Sequence, residues 1–242
     1  MTALLSVEDV SKRFRGLVAV DGVSFSVSRG DIFAVIGPNG AGKTTLFNMI
    51  AGVYTPDDGS IALDGERIEG MTPDAICGRG IGRTFQIVRP FPGLSVEDNV
   101  VVGALLRRPD VSAARRHAHD VLERLDLFSR RHQKASTLTL PDRKRLEVAR
   151  ALATDPKLLL LDEVMAGLRP SETDRIVEIL TALNKETGLT ILLIEHVMRA
   201  VMALASKVMV LHHGAKIAEG APAEVVRNPA VIESYLGAEA VG

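Results

Sequence analysis

One glycine-rich stretch constrains the fold of this chain more than any other feature. It matches the pattern G-x-x-x-x-G-K-[ST] at every fixed position and consists of Gly37, Pro38, Asn39, Gly40, Ala41, Gly42, Lys43, Thr44 and Thr45. The apolar residues 32–36 before it predict a buried strand, and residues 43–51 predict a helix that leaves it. A strand, a glycine loop and a helix in this order are typical of an α/β protein whose loop binds phosphate groups.

The chemistry expected of this phosphate loop is the binding of a nucleoside triphosphate. Backbone N–H groups of the loop and the N-terminal end of the following helix would face phosphate oxygens. The ammonium group of Lys43 would neutralise the β- and γ-phosphates, and the Thr44 hydroxyl would hold Mg²⁺. A strand-to-helix turn without a ligand is the alternative, and the flanking elements disfavour it.

Composition narrows the class of protein further. The 242 residues suffice for one large domain or for a core with an inserted subdomain, and 46% of them are hydrophobic, as in ordinary globular proteins. The 29 basic and 30 acidic residues nearly cancel, so charge predicts no nucleic-acid partner and no membrane-surface footprint. The single cysteine, Cys77, excludes an internal disulfide. No apolar run reaches the length of a membrane span, so we expect any membrane role to come through a partner.

Two further apolar segments end in side chains that suit nucleotide hydrolysis. Residues 157–161 predict a buried parallel strand that ends in Asp162 and Glu163. Ligands of such folds gather at the carboxyl ends of strands, so we expect Asp162 to face the metal and Glu163 to activate water as a general base. A solvated acidic turn is the alternative. Residues 190–194 predict a second such strand, after which His196 could report a γ-phosphate, although a lone histidine is more often structural.

Two other side chains are weaker candidates on their own. Residues 4–10 and 23–27 predict strands separated by a basic stretch, in which Phe14 could stack on an adenine ring. A core phenylalanine at the sheet edge is an equal alternative. Gln86 carries both a donor and an acceptor and could join the Mg²⁺ shell. A solvated loop glutamine is the commoner interpretation of that residue alone.

The middle of the chain predicts helices only. Residues 96–106, 112–125 and 141–153 are amphipathic with a helical period, and no strand is predicted between them. This block is rich in arginine, with Arg107, Arg108, Arg115, Arg116, Arg130 and Arg131. Such runs are more often a solvated helix face than a binding surface. We therefore expect a helical insertion in an α/β core.

Taken together, these segments resemble the ATP-binding-cassette (ABC) ATPases over nearly the whole chain. The resemblance is carried by Phe14, residues 37–45, Gln86, residues 158–163 and His196. It implies an α/β fold with a P-loop NTPase core of the RecA-like kind, whose mixed sheet has antiparallel edge strands. Within a single domain of residues 1–242, the core would take residues 1–86 and 154–242, and residues 87–153 would form a helical subdomain.

The same resemblance implies the roles of the site residues. ATP would be the nucleotide and Mg²⁺ the metal ion, with Phe14 stacked on the adenine. Gln86 would join the metal and couple the site to a permease, and His196 would sense the γ-phosphate. ATP would be sandwiched between the phosphate loop of one chain and a signature segment of a second ABC ATPase.

Finer details look like the ATPase subunits of branched-chain amino-acid uptake systems. They are the residues at 14–20, 83–86, 145–150, 166–168, 192–196 and 228–237. This implies transmembrane permease subunits as partners, indirectly a solute-binding protein, and a peripheral position on the cytoplasmic face of the membrane. ATPases of transporters for urea, amides or lipid-linked cargo are similar, so the cargo stays open. A non-transport ABC ATPase is less favoured, because such chains usually carry two cassettes or a long coiled-coil insertion.

One departure from the family pattern concerns the signature segment. Where relatives have Leu-Ser-Gly-Gly-Gln, this chain has Leu138, Thr139, Leu140, Pro141 and Asp142. Both glycines are gone, and Pro141 has no N–H to offer a phosphate. The Thr-x-x-Asp spacing predicts a capping box, and Asp142 is expected to place a negative charge near the phosphate. These changes predict a complete nucleotide half-site and a poor signature in the same chain. We therefore expect the chain to work best beside a different ATPase, with unequal composite sites, while a homodimer is the alternative.

Overall fold

The structure is a computed structural model, and it describes residues 3–85 and 90–239. Its strands are β1 (Ala3–Phe14), β2 (Leu17–Ser28), β3 (Ile32–Ile36), β4 (Asp58–Leu63), β5 (Glu66–Arg67), β6 (Ile81–Arg83), β7 (Leu158–Asp162), β8 (Thr190–Ile194), β9 (Lys207–His212) and β10 (Ala215–Gly220). Its helices are α1 (Lys43–Ile50), α2 (Pro73–Arg79), α3 (Val96–Ala104), α4 (Val111–Arg124), α5 (Leu140–Leu152), α6 (Pro170–Thr187), α7 (Met198–Leu204), α8 (Pro222–Val225) and α9 (Pro229–Glu239).

The antiparallel strands near the N-terminus form a sheet of their own, in the order β2-β1-β4-β5. The sequence predicted strands at 4–10 and 23–27 only, and this was wrong in extent, because β1 and β2 continue through the basic stretch to a tight turn after Phe14. Asp57 explains the continuation. Its carboxylate accepts hydrogen bonds from the Lys12 ammonium group at 2.6 Å and from the Arg13 backbone N–H at 2.7 Å. The Lys12 charge is therefore paired within the sheet.

The second sheet brings the predicted site together. Its six strands run in the order β10-β9-β3-β8-β7-β6, and its neighbours pair in parallel except for β10 with β9. Strands β3, β7 and β8 are buried at every position, which explains their continuous apolar sequence. Val35 is in register with Ile194, and Ile194 is in register with Asp162. The ends of these three strands therefore lie side by side at one edge of the sheet.

The middle block is helical, as the sequence predicted. Helices α3 and α4 begin after Ser95 and Asp110, whose side chains accept hydrogen bonds from backbone N–H groups in the first helical turn. Apolar side chains of α3, α4 and α5 share one hydrophobic cluster with strands β7 and β8 and helix α6. The division into a core and a helical subdomain at residues 87–153 stays a prediction, because this cluster runs across it. No helix within the described ranges is long and apolar enough to cross a lipid bilayer.

Candidate functional site

The phosphate loop joins β3 to α1 in a conformation that requires glycine. Gly37 and Gly42 have φ angles of 147° and 99°. A Cβ atom on Gly37 would lie 2.1 Å from the carbonyl oxygen of Leu211, and one on Gly42 would lie 2.2 Å from that of Ala19. The loop is thus pressed between β2 and β9, and a larger residue at either position would displace the backbone.

Lys43 folds back over this loop. Its Nζ donates hydrogen bonds to the carbonyl oxygens of Gly37 at 2.7 Å and Pro38 at 2.9 Å. Burial lowers the pKa of the Lys43 ammonium group, and the nearby carboxylates of Glu163 and Asp162 oppose that shift. The loop therefore holds a buried cation with exchangeable partners, at the place where the pattern predicted phosphate.

Asp162 ends β7 with its side chain turned into the protein. Its Oδ2 lies 3.4 Å from Nη2 of Arg83, whose Nη1 donates to Asn48 at 2.8 Å. The other oxygen, Oδ1, is buried, and no described residue hydrogen-bonds to it. Burial raises the pKa of the Asp162 carboxyl group, and the Arg83 guanidinium opposes that shift. A buried carboxylate oxygen with an open coordination position is a suitable donor for a hard cation.

Glu163 occupies an unusual backbone conformation directly after β7. Its φ of 49° lies in the left-handed region, which a glutamate adopts only when its surroundings enforce it. Two contacts do so: its N–H donates to the carbonyl oxygen of Ile194 at 3.0 Å, and its own carbonyl oxygen accepts from Nζ of Lys144 at 2.9 Å. The strand end is thereby fixed on both sides of the Glu163 side chain.

A cavity of about 490 Å³ connects several of the predicted residues. Its walls are Phe14, Leu17, Val18, Ala19, residues 39–45, Glu163 and His213. Phe14 is partly exposed here rather than buried in the sheet. The cavity therefore places an accessible aromatic ring, the phosphate loop and the candidate general base around one space.

The positions of the remaining predicted residues relative to this cavity differ. His196 lies exposed after β8, at the same sheet edge, and is not among the residues that line this cavity. Thr44 is exposed in the first turn of α1, and both Thr44 and Thr45 line this cavity. Gln86 lies outside the described residues.

The signature segment, residues 138–142, differs from its prediction at the helix cap. Thr139 precedes α5, but its side chain makes no capping hydrogen bond to the helix backbone. Its hydroxyl instead donates to Oδ2 of Asp142 at 2.8 Å. Asp142 is only 2% exposed and pairs with Arg130 at 2.8 Å and with Arg145. Two guanidinium groups therefore pair with the carboxylate inside the protein, and its position near a phosphate stays a prediction.

Some residues at this sheet edge were not predicted from the sequence. Glu195 directly follows β8, as Glu163 directly follows β7. It is 1% exposed, and its Oε1 accepts a hydrogen bond from the Met165 N–H at 2.9 Å. Burial raises the pKa of the Glu195 carboxyl group. Lys144 reaches the Glu163 carbonyl group from α5, and burial lowers the pKa of its ammonium group. The repeat of an apolar strand followed by an acidic residue was the one signal in the sequence that pointed to Glu195.

A glycine loop with a buried lysine after β3, together with two carboxylates at the end of β7 on the same edge of the sheet, defines a P-loop nucleotide-binding protein. The family model described as "ABC transporter" matches residues 20–166. The chain belongs to the ABC transporter family, and the predicted fold class and resemblance are confirmed. A second family model, "Branched-chain amino acid ATP-binding cassette transporter", matches residues 215–241.

Curated relatives match over nearly the full length of the chain. The high-affinity branched-chain amino acid transport ATP-binding protein LivG of Escherichia coli K12 is 40% identical over 97% of this chain and 98% of its own. The corresponding protein BraF of Pseudomonas aeruginosa is 39% identical over the same shares. The lipopolysaccharide export system ATP-binding protein LptB of Escherichia coli K12 is 36% identical, again over 97% and 98%.

Solved structures share the whole fold. A crystal structure of the ADP conformation of an ATP-binding cassette of an ABC transporter is 32% identical, with a TM-score of 0.89 over 98% of this chain and all of that one. A nucleotide-free cassette of the same kind is 31% identical, with a TM-score of 0.88. The chain is thus a nucleotide-binding cassette of an ABC transporter in both sequence and fold.

Proposed function

We propose that this chain hydrolyses ATP through its phosphate loop and the carboxylates that follow β7, and that hydrolysis drives solute import. The observation that carries the proposal is the placement of Lys43, Asp162 and Glu163 at one edge of one sheet, with Lys43 after β3, the carboxylates at the end of β7, and β8 between these two strands. Lys43 would exchange its two carbonyl partners for phosphate oxygens, which offer a stronger charge-assisted bond. Phe14 would stack on the adenine at the far end of the cavity.

The residues of the site fit a magnesium ion. Asp162 supplies a buried Oδ1 without a partner among the described residues, and Thr44 supplies a hydroxyl at the start of α1. We include Gln86 as a further ligand on the strength of the family pattern alone. Mg²⁺ is usually held by one or two protein carboxylates together with substrate phosphates, so this sparse donor set is suitable. When bound, the ion would neutralise charge on the phosphate oxygens.

Glu163 would accept the proton of the attacking water. Its fixed backbone, its position on the wall of the cavity and its proximity to Lys43 support that role. His196 would reach the γ-phosphate from the end of β8. Arg83 would act through Asp162, because it holds one carboxylate oxygen and leaves the other for the metal.

Glu163→Gln tests the hydrolytic role. The amide keeps the shape of the side chain but cannot take a proton, so we expect ATP affinity within about twofold and turnover reduced at least about 100-fold. The measurements are equilibrium binding of ATP and steady-state phosphate release. Glu186→Gln, on the exposed surface of α6, is the matched control and should behave as the wild type. Near-normal turnover of Glu163→Gln would overturn the general-base role.

We propose branched-chain or related amino acids as the cargo. Supporting this, LivG and BraF are named for branched-chain amino acid transport, and the second family model matches residues 215–241. The chain would sit on the cytoplasmic face of the membrane beneath permease subunits, and a solute-binding protein would deliver the cargo. The similarity to LptB makes an ATPase of a lipid exporter the second candidate.

Purification of the chain from its native membranes in mild detergent, with mass spectrometry of the proteins that accompany it, separates these candidates. Permeases together with a solute-binding protein would support the importer. Permeases of a lipid exporter would support the second candidate. Recovery only from the soluble fraction, with ribosomal or DNA-repair proteins, would overturn both transport proposals.

We further propose that the partner cassette is a different chain. Leu140 is 47% exposed at the start of α5, Pro141 carries no N–H, and the Thr139 hydroxyl is engaged with Asp142. Each of these features reduces the capacity of the signature segment to bind a phosphate. A second cassette with a glycine-containing signature would complete the nucleotide half-site of this chain.

A further inference from the structure

A buried lysine outside the phosphate loop contacts the segment that carries the candidate general base. Lys144 lies in the second turn of α5, and only 6% of it is exposed. Its Nζ donates a hydrogen bond to the backbone carbonyl oxygen of Glu163 at 2.9 Å. Burying an ammonium group is costly, so lysine is rarely placed in a protein interior for packing alone. The position of this cation behind the end of β7 therefore indicates a role in the site.

The surroundings of Lys144 favour its charged form. Burial lowers the pKa of its ammonium group, and four carboxylates oppose that shift, those of Glu195, Glu163, Asp162 and Glu147. The hydrogen bond from Lys144 to the Glu163 carbonyl oxygen is therefore charge-assisted, which makes it stronger than a bond between neutral groups.

The backbone of Glu163 requires such a partner because its conformation is strained. Its φ of 49° lies in the left-handed region, which is unfavourable for a residue with a Cβ atom. Its N–H donates to the carbonyl oxygen of Ile194 at 3.0 Å, and its carbonyl oxygen also accepts from the Ala166 N–H at 3.2 Å. Without the bond from Lys144, the residue is freer to relax towards an ordinary φ, and its side chain then turns away from the cavity wall.

Helix α5 gives this contact a firm support. It packs against β7, and its residues Leu146 and Ala149 are fully buried in the hydrophobic cluster that also contains Leu161 of that strand. The same helix begins in the signature segment, at Leu140. The Lys144 side chain therefore joins the helix of the signature segment to the candidate general base of the same chain.

We infer that Lys144 is a positioning residue for ATP hydrolysis, which acts through the backbone of Glu163 and ties the general base to helix α5. The inference rests on the proposed function, because it assumes that Glu163 activates water. Lys144 lies behind Glu163 and is not among the residues that line the cavity. Its loss therefore lowers the rate of hydrolysis and leaves nucleotide binding intact.

Lys144→Met tests this inference in the full-length chain, purified with the subunits that accompany it. Methionine keeps most of the side-chain length and removes the donor. We expect kcat for ATP hydrolysis to fall about tenfold, the effect of losing one hydrogen bond from a charged group, while the dissociation constant for ATP changes less than about twofold. Lys185→Met, at an exposed position of α6, is the matched control and should hydrolyse ATP at the wild-type rate.

A second variant guards against a failure of Lys144→Met to fold. Lys144→Gln shortens the side chain by one atom, so that it no longer reaches the Glu163 carbonyl oxygen, and keeps a polar group for the neighbouring carboxylates. We expect the same fall in kcat and the same retention of ATP affinity. Wild-type kcat in either folded variant overturns the inference, and so does a loss of ATP affinity as large as the loss of turnover.

A double variant separates positioning of the general base from a purely structural role. Once Glu163→Gln has removed the base, its positioning no longer matters, so adding Lys144→Met should lower the residual single-turnover rate of ATP cleavage less than about twofold. An equal fall in the wild-type and Glu163→Gln backgrounds overturns the inference. Absence of turnover in the wild-type preparation would contradict the proposed function instead, so the two failures are distinguishable.

Discussion

The phosphate loop and the signature segment are both junctions at which a loop enters a helix, yet their residues and charges differ. Helix α1 begins after Gly42, with a glycine-rich backbone and the buried cation of Lys43. Helix α5 begins after Thr139, and its first turn contains a proline and a buried acid. Helix N-termini in general favour anions. The difference teaches that the residues around a helix N-terminus decide whether it can bind an anion.

The electrostatics of the two junctions are opposite in sign. At α1 the buried cation is near two carboxylates and holds carbonyl oxygens that a ligand can replace. At α5 the buried anion is held by two arginines and a hydroxyl, all from the protein itself. The cation at α1 has partners that a ligand can replace, whereas the anion at α5 already has charged partners within the protein.

The largest expected effect comes from breaking the closed arrangement at α5. Asp142→Asn removes the charge that Arg130 and Arg145 share, and loss of one partner from a buried ion pair typically costs about 3 kcal/mol of unfolding free energy. Urea unfolding would measure it, and nucleotide affinity should be unchanged. Asp174→Asn, at an exposed pair with Arg199, should cost less than about 1 kcal/mol. Equal stability of both variants would contradict the structural role of Asp142.

A smaller effect is expected when the signature segment at the start of α5 is made more like the phosphate loop at the start of α1. Leu140→Gly combined with Pro141→Gly restores a backbone N–H and removes a side chain from the exposed start of α5. We expect the ATP turnover of the purified chain to rise about tenfold, since single backbone donors to developing charge are often worth more than that. Leu140→Ala with Pro141→Ala is the control, because it restores the N–H but keeps both Cβ atoms. Equal rates of the two double variants would show that glycine itself is not required.

The smallest effect concerns Glu195, whose pKa is raised by burial. The folded state holds its proton more tightly than the unfolded chain does, so stability falls as pH rises from the ordinary glutamate pKa of 4.5 through the raised value. Glu195→Gln stays neutral and keeps an acceptor for the Met165 N–H. As the pH rises through that window, the unfolding free energy of the wild type should fall while that of the variant does not. The variant should therefore be the more stable of the two at pH 8. A gain independent of pH would contradict this account.

The parts of the fold that could be predicted from the sequence are those whose pattern lies within one short segment. The strands Ile32–Ile36 and Thr190–Ile194 lie where the apolar runs predicted them, because a fully buried parallel strand has no polar position. The early end predicted for β1 was wrong because Asp57, distant in sequence, holds the Lys12 ammonium group and the Arg13 backbone N–H. Helices α2 and α6 were not predicted.

The candidate site also has a part that could be predicted from the sequence and a part that could not. The phosphate loop could be predicted because its chemistry lies within nine consecutive residues. The pairing of Arg83 with Asp162 joins positions 79 residues apart, and only the neighbouring strands β6 and β7 bring them together. The inward turn of Asp142 could not be predicted either, because it depends on Arg130 of another element. Spacing along the chain carries no information about such partners.

The most direct test of the comparison uses two forms of this chain. One is the wild type, with an intact half-site and a poor signature segment. The other combines Glu163→Gln with Leu140→Gly and Pro141→Gly, so that its half-site is inactive and its signature segment restored. The account predicts that ATP turnover of the mixture exceeds that of either form alone several-fold. Turnover of the mixture no higher than that of the wild type alone would contradict the claim that the two junctions differ in their capacity to bind phosphate.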